Sequence, residues 1–127
     1  MAGPAYYSVL LNISLNDDWI VGFQYLTPNA DGTPGPPIDI TGSLLKLEMR
    51  QHESDNEALL WADSNPGNGI TITDPVNGLF TIVLDRAERL ARLYPGTYVV
   101  DLVRLMPSGY QERLFEGTAT VVEGTTR

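Results

Sequence analysis

Few residues in this chain have the type and spacing that chemistry requires. His52 is the only histidine, set in Gln51-His52-Glu53-Ser54-Asp55-Asn56-Glu57. A Ser-His-Asp relay needs a serine held against that imidazole, and no Gly-x-Ser-x-Gly turn is present to offer one. In a charged connecting segment His52 reads as a solvated side chain. The same stretch supplies Glu53, Asp55, Asn56 and Glu57 as oxygen ligands. Calcium takes about six to eight oxygens from a shaped loop. These residues lack the Asp-x-Asp-x-Asp-Gly order and its distal glutamate, so no metal is expected. With no cysteine in the chain, thiol nucleophiles, disulfides and thiolate metal sites are excluded together.

Paired carboxylates are the next place to look. Asp17-Asp18 lies between two apolar strands and reads as a turn. Asp101 and Glu116 face each other in the hairpin register argued below. Facing acids are destabilising unless a cation lies near them, and Arg113 or Arg50 can supply one. Glycoside hydrolysis would need two carboxyls across a cleft. Trp19 and Trp61 could stack on sugar rings. Trp61 ends the apolar run Leu59-Leu60 and reads as core, whereas Trp19 opens a strand. Asn12-Ile13-Ser14 matches a glycosylation sequon but falls within a strand. Gly67-Asn68-Gly69 has neither the lysine nor the following helix of a phosphate loop. No catalytic residue and no cofactor is expected.

The elements that would position these groups are nearly all strands. Period-two segments separated by turn signals predict strands over residues 7–15, 19–26, 43–50, 58–62, 70–73, 79–84, 97–106 and 110–122. The last is expected to break near Gly117, and a short pairing is possible over 38–40. Asn29-Ala30-Asp31-Gly32-Thr33-Pro34-Gly35-Pro36-Pro37 has three prolines without donors and reads as a surface loop. Asn77-Gly78 closes a hairpin. A short helix is expected over 86–93, with Asp85 as cap, Glu88 in the capping-box position and Ala87, Leu90 and Leu93 on one face. Glu88 and Arg92 would pair along it. The fold class is therefore all-β: one antiparallel β-sandwich, immunoglobulin-like or jelly-roll-like, of about seven or eight strands with one short helix. It forms a single domain over 1–127, with 1–6 as an N-terminal arm.

Magnitudes decide the register of the last hairpin. A loop of Pro107-Ser108-Gly109 sets Arg104 against Glu112, a pair worth about 0.2–1 kcal/mol. A tighter Ser108-Gly109 turn sets Leu102 against Phe115 instead. It gathers Tyr98, Val100, Leu102, Phe115, Ala119 and Val121 on one face. Each large apolar side chain buried contributes about 1.5–3 kcal/mol, so the tighter turn is predicted, leaving Arg104 opposite Arg113 near water.

Sixteen acidic residues against eight basic ones give a formal charge of −8. A surface of that sign repels phosphate backbones and anionic lipid, so neither nucleic acid nor membrane is an expected partner. No basic residue precedes the short apolar run 9–11, and no secretory signal is expected.

Several segments together resemble a known group. Pro37-Ile38-Asp39-Ile40-Thr41-Gly42 leads into a strand ending Leu47-Glu48-Met49-Arg50. Gly69-Ile70-Thr71-Ile72 precedes the hairpin strand Gly78-Leu79-Phe80-Thr81-Ile82-Val83-Leu84. Pro95-Gly96-Thr97-Tyr98-Val99-Val100-Asp101-Leu102 and Arg113-Leu114-Phe115-Glu116-Gly117-Thr118-Ala119-Thr120-Val121 follow. From about residue 19 onward this order resembles small bacteriophage virion proteins, in particular the N-terminal β-sandwich of upper-baseplate and tail-fibre attachment proteins. The resemblance implies a non-enzymatic structural component of a phage particle, located in the virion, in contact with other virion proteins and assembled as a symmetric homo-oligomer. The chain stops after Glu123-Gly124-Thr125-Thr126-Arg127, where a receptor-binding protein would continue into a stalk. An adaptor or decoration role is therefore expected over receptor binding. The alternative is a carbohydrate-binding, lectin-like module. Candidate interaction residues are Tyr6 and Tyr7 of the arm, Pro34, Pro36 and Pro37 of the long loop, and Trp19.

Overall fold

Alternating side chains build two sheets. A computed structural model describes residues 7–52, 54–55 and 57–123, with side chains from Leu10 onward. The strands are β1 (Tyr7–Ser14), β2 (Trp19–Gln24), β3 (Leu26–Pro28), β4 (Pro34–Pro37), β5 (Leu44–Arg50), β6 (Leu60–Asp63), β7 (Ile70–Asp74), β8 (Leu79–Leu84), β9 (Gly96–Leu105) and β10 (Gln111–Val122). One sheet runs β1-β10-β9-β5-β6 and the other β2-β8-β7, while β3 and β4 form a separate hairpin. Leu45, Leu47 and Met49 of β5, Tyr98, Val100 and Leu102 of β9, and Phe80, Ile82 and Leu84 of β8 point into the space between the sheets and are buried there. Lys46 and Glu48 point out, as period two requires.

The expected sandwich is present, with one departure from a wholly antiparallel design. β1 runs parallel to β10, from Tyr7 beside Phe115 to Ser14 beside Val122. After β1 the chain turns through Asp17, whose N–H donates to Ser14 O at 3.4 Å, and β2 then joins the opposite sheet. The first and last strands are therefore neighbours without a hairpin between them. This topology is the immunoglobulin-like one. Tyr98, at the start of β9, supports that assignment. Its hydroxyl donates to Tyr94 O at 2.6 Å and accepts from Tyr94 N–H at 3.1 Å, the corner found where that fold turns into its penultimate strand.

The last hairpin adopts both competing registers. Near the turn Glu112 faces Arg104, and beyond it Phe115 faces Leu102 and Glu116 faces Asp101. The register shifts between Arg113 and Phe115, so Leu114 is the extra residue of a β-bulge. Leu114 and Phe115 are consequently both buried. The predicted Arg104–Arg113 juxtaposition is corrected: one inserted residue satisfies the ion pair and the apolar face together. The break expected at Gly117 lies at Leu114 instead.

Two other expectations need correction. Only a 3₁₀ turn, Leu90–Arg92, forms where a short helix was expected. Asp85 does cap the preceding turn, accepting Glu88 N–H at 2.9 Å. Its partner along the chain is Arg89 at 2.9 Å, not a Glu88–Arg92 pair. Leu90 and Leu93 are buried, but Ala87 is exposed because the turn is too short to present one continuous face. The proline-rich segment is a hairpin and not an irregular loop: Pro37 pairs with Leu26 and Pro34 with Pro28. Its turn is fixed by Asn29, whose N–H donates to Thr33 O at 2.9 Å and whose amide donates to Pro34 O at 3.1 Å. Gly35 permits the close approach, since a Cβ there would lie 2.1 Å from Thr27 O. Pairing continues past β4 through Ile38 N–H to Tyr25 O at 2.9 Å.

Candidate functional site

One end of the sandwich gathers the β3–β4 hairpin, the β7–β8 turn and the β9–β10 turn. Ile40 N–H donates to Pro75 O at 2.9 Å, and a Cβ on Gly42 would touch Pro107 at 3.1 Å. Gly78, at φ +68°, sits where a Cβ would lie 2.7 Å from Tyr25 O and 2.8 Å from Ile38 O. The three connections thus brace one another.

Beside them, between the sheets, lies an open cleft of about 420 Å³. β2 contributes Phe23, β8 Phe80, and the bulge on β10 contributes Leu114 and Phe115, while Leu26, Pro28 and Pro34 of the hairpin form its roof. Phe23 stacks on Phe80 with centroids 5.5 Å apart and meets Phe115 at 5.6 Å. Trp19 extends the row, 6.5 Å from Phe23. Among the described residues no carboxylate, imidazole, ammonium or guanidinium side chain lines this cleft. It can bury an apolar group.

The outer face of the five-stranded sheet is chemically opposite. Glu48, Asp101 and Glu116 stand side by side on β5, β9 and β10. Arg50 pairs with Glu48, Lys46 Nζ lies 3.5 Å from the same carboxylate, and Arg113 Nη1 lies 2.7 Å from Glu116. Of the two cations expected near the facing acids Asp101 and Glu116, Arg113 pairs with Glu116 and Arg50 with the neighbouring Glu48. Burial still dominates at Asp101, pushing its carboxyl above the usual range. Glu48 and Glu116 add to that, while Arg113 and Arg50 oppose it. Among the described residues no group of three or more His, Cys, Asp or Glu is arranged to hold a metal ion.

The sequence-predicted residues scatter around this picture. Tyr6 lies outside the described residues, as do Glu53 and Asn56. Tyr7 places its backbone beside Phe115, so β1 starts at the margin of the cleft. Pro34 reaches the cleft, whereas Pro36 and Pro37 are exposed on the hairpin. Trp19 is half-buried against the core and Trp61 is exposed, the reverse of the expected ranking. The cause is parity: β6 begins at Leu60, so Leu60 and Ala62 turn inward and Trp61 outward. His52 is exposed, its N–H donating to the Asp55 carboxylate at 3.0 Å. Asp18 of the acidic turn accepts Arg86 N–H at 2.7 Å. Phe23, Phe80 and Leu114 were not singled out as site residues. Two consecutive apolar residues, Leu114-Phe115, inside an alternating strand were the available signal of a bulge.

No family model matches the chain, and no curated protein matches it. Among solved structures it is similar to AggA, the major subunit of aggregative adherence fimbriae type I from Escherichia coli, at 14% identity over 89% of each chain with a TM-score of 0.35. The described residues contain no helix long and apolar enough to cross a membrane. The expected bacteriophage assignment, with its virion, tail and baseplate roles, is corrected by these findings: the matched structure is a bacterial surface-appendage subunit and not a phage protein. The quoted motifs are the alternations and glycine turns that any sandwich of this topology requires, so they identify a fold and not a lineage.

Proposed function

We propose that the chain is a non-catalytic assembly module, and that two copies associate through the loop end, each seating Tyr110 in the other's aromatic cleft. The cleft carries this reading, with its apolar walls and, among the described residues, no acid, base or cation in its lining. Gln24 and Thr33 give it an uncharged polar margin, matching the apolar centre and polar rim of protein interfaces. Tyr110 lies in the β9–β10 turn at the same end and is 75% exposed. A patch carrying both the projecting side chain and the cleft is self-complementary about a two-fold axis. Sedimentation velocity over a dilution series tests this. The wild-type protein should shift from monomer to dimer with concentration, and Tyr110→Ser should stay monomeric with an unchanged melting curve. A wild-type protein monomeric throughout, or a Tyr110→Ser variant that dimerises equally well, would overturn the reading.

A further inference from the structure

The outer face of the five-stranded sheet holds a site that loop-end association does not use. Trp61 on β6 stands opposite Glu48 on β5, Glu48 opposite Asp101 on β9, and Asp101 opposite Glu116 on β10. With strands ~4.8 Å apart, this row spans about 14 Å. Two grooves meet on it. One, of about 250 Å³, lies over Glu48, Arg50, Asp101, Arg113 and Glu116. The other, of about 510 Å³, lies over Lys46, Glu48, Arg50, Glu57, Trp61 and Asp63. They share Glu48 and Arg50 as lining residues and so adjoin along one face. At its end Trp61 is 41% exposed, an aromatic residue partly open to water beside fixed polar groups.

We propose that these adjoining grooves bind a neutral oligosaccharide, with the Trp61 indole against the apolar face of one pyranose ring and the Glu48–Asp101–Glu116 row meeting the hydroxyls of the rings beyond it. A sugar hydroxyl donates one hydrogen bond and accepts others, so it can bridge a carboxylate and a guanidinium without breaking their ion pair. The paired Arg50–Glu48 and Arg113–Glu116 side chains offer such alternating acceptors and donors at fixed positions. A phosphate or an ammonium would match only one sign. The lining set carries five carboxylates (Glu48, Glu57, Asp63, Asp101, Glu116) against three cations (Lys46, Arg50, Arg113), which disfavours uronate, sialylated or sulfated chains. The aromatic platform separates this from a plain acidic face, because indole presents a flat apolar surface whose edge stays wet.

The test is a panel of neutral oligosaccharides built from glucose, galactose, mannose or N-acetylglucosamine, with heparin and a lysine-rich peptide alongside. The chain has two tryptophans, so a Trp19→Phe variant lets fluorescence report Trp61 alone. At least one neutral oligosaccharide should bind saturably and shift that emission. Trp61→Ala should weaken its binding at least about tenfold, or ~1.4 kcal/mol, with the melting curve unchanged. Array binding by wild type and Trp61→Ala gives the same comparison without the Trp19 substitution. The proposal is overturned if no neutral oligosaccharide binds at millimolar concentration, if Trp61→Ala binds as well as wild type, or if only heparin or only the lysine-rich peptide binds.

Discussion

Arg104 Nη1 lies 2.8 Å from the Glu112 carboxylate, with side chains only 12% and 14% exposed. The same guanidinium donates to Ser43 Oγ at 2.8 Å and to Asp39 O at 3.1 Å, so it ties β9 and β10 to the chain entering β5. Glu112→Ala should therefore cost about 1–3 kcal/mol, because it strips a largely buried cation of its charged partner. Phe115→Ala, which empties part of the aromatic row, should cost more, about 3–5 kcal/mol. Denaturant titration of both variants checks the order. A Glu112→Ala variant as stable as wild type would mean that the ion pair contributes nothing.

Tyr98→Phe removes one hydroxyl and leaves the ring in place. Both Tyr94 backbone groups that the hydroxyl serves then lose a partner, and the expected loss is about 1–3 kcal/mol with little change in the rest of the fold. Thermal unfolding should register this as a lower midpoint.

Asp101 predicts a pH effect opposite to that of most carboxylates. Burial raises its folded pKa above the ordinary value of 3.8, so the folded state holds that proton more tightly than the unfolded chain. Its contribution to stability is most favourable below 3.8 and is lost as pH rises through the folded pKa. Asp101→Asn should stabilise the protein at neutral pH by up to about 1 kcal/mol and remove that component of the slope. Stability curves of wild type and variant at pH 4 and pH 7 give the comparison, and a variant that is less stable at pH 7 contradicts it.

Salt gives a separate handle on association. Each copy carries a formal charge of −8, so two copies repel at long range while the cleft contact itself is uncharged. Raising ionic strength from about 0.01 M to about 0.15 M shortens the screening length from ~30 Å to ~8 Å. Dimerisation should strengthen over that range. Weakening with salt would point to a contact built on opposite charges.

Strand positions were legible because alternation reports burial directly: 79–84 matches β8 residue for residue, and Leu102 opposite Phe115 followed from apolar area alone. The bulge was missed because the two registers were treated as exclusive, whereas one added residue reconciles them. Trp61 was misplaced because a run of apolar residues does not reveal where the strand starts, and the starting residue fixes which side chains turn inward. The short helix failed because a capping signal sets only the first turn, while the chain needed just enough turn to bury Leu90 and Leu93 before Tyr98. The cleft was least legible, since its walls come from β2, β8, β10 and the β3–β4 hairpin, and only the fold brings them together.

The most direct test of loop-end association mixes two defective variants. Tyr110→Ser removes the projecting side chain but leaves its cleft intact, and Pro34→Glu places a charge on the exposed margin of the cleft but leaves Tyr110 intact. Each variant alone should stay monomeric, because a two-fold pair of either loses both contacts. An equimolar mixture restores one contact per pair, so sedimentation should show a dimer fraction in the mixture that neither variant shows alone. A mixture that stays as monomeric as its components, measured at a concentration where the wild-type protein dimerises, would contradict the account.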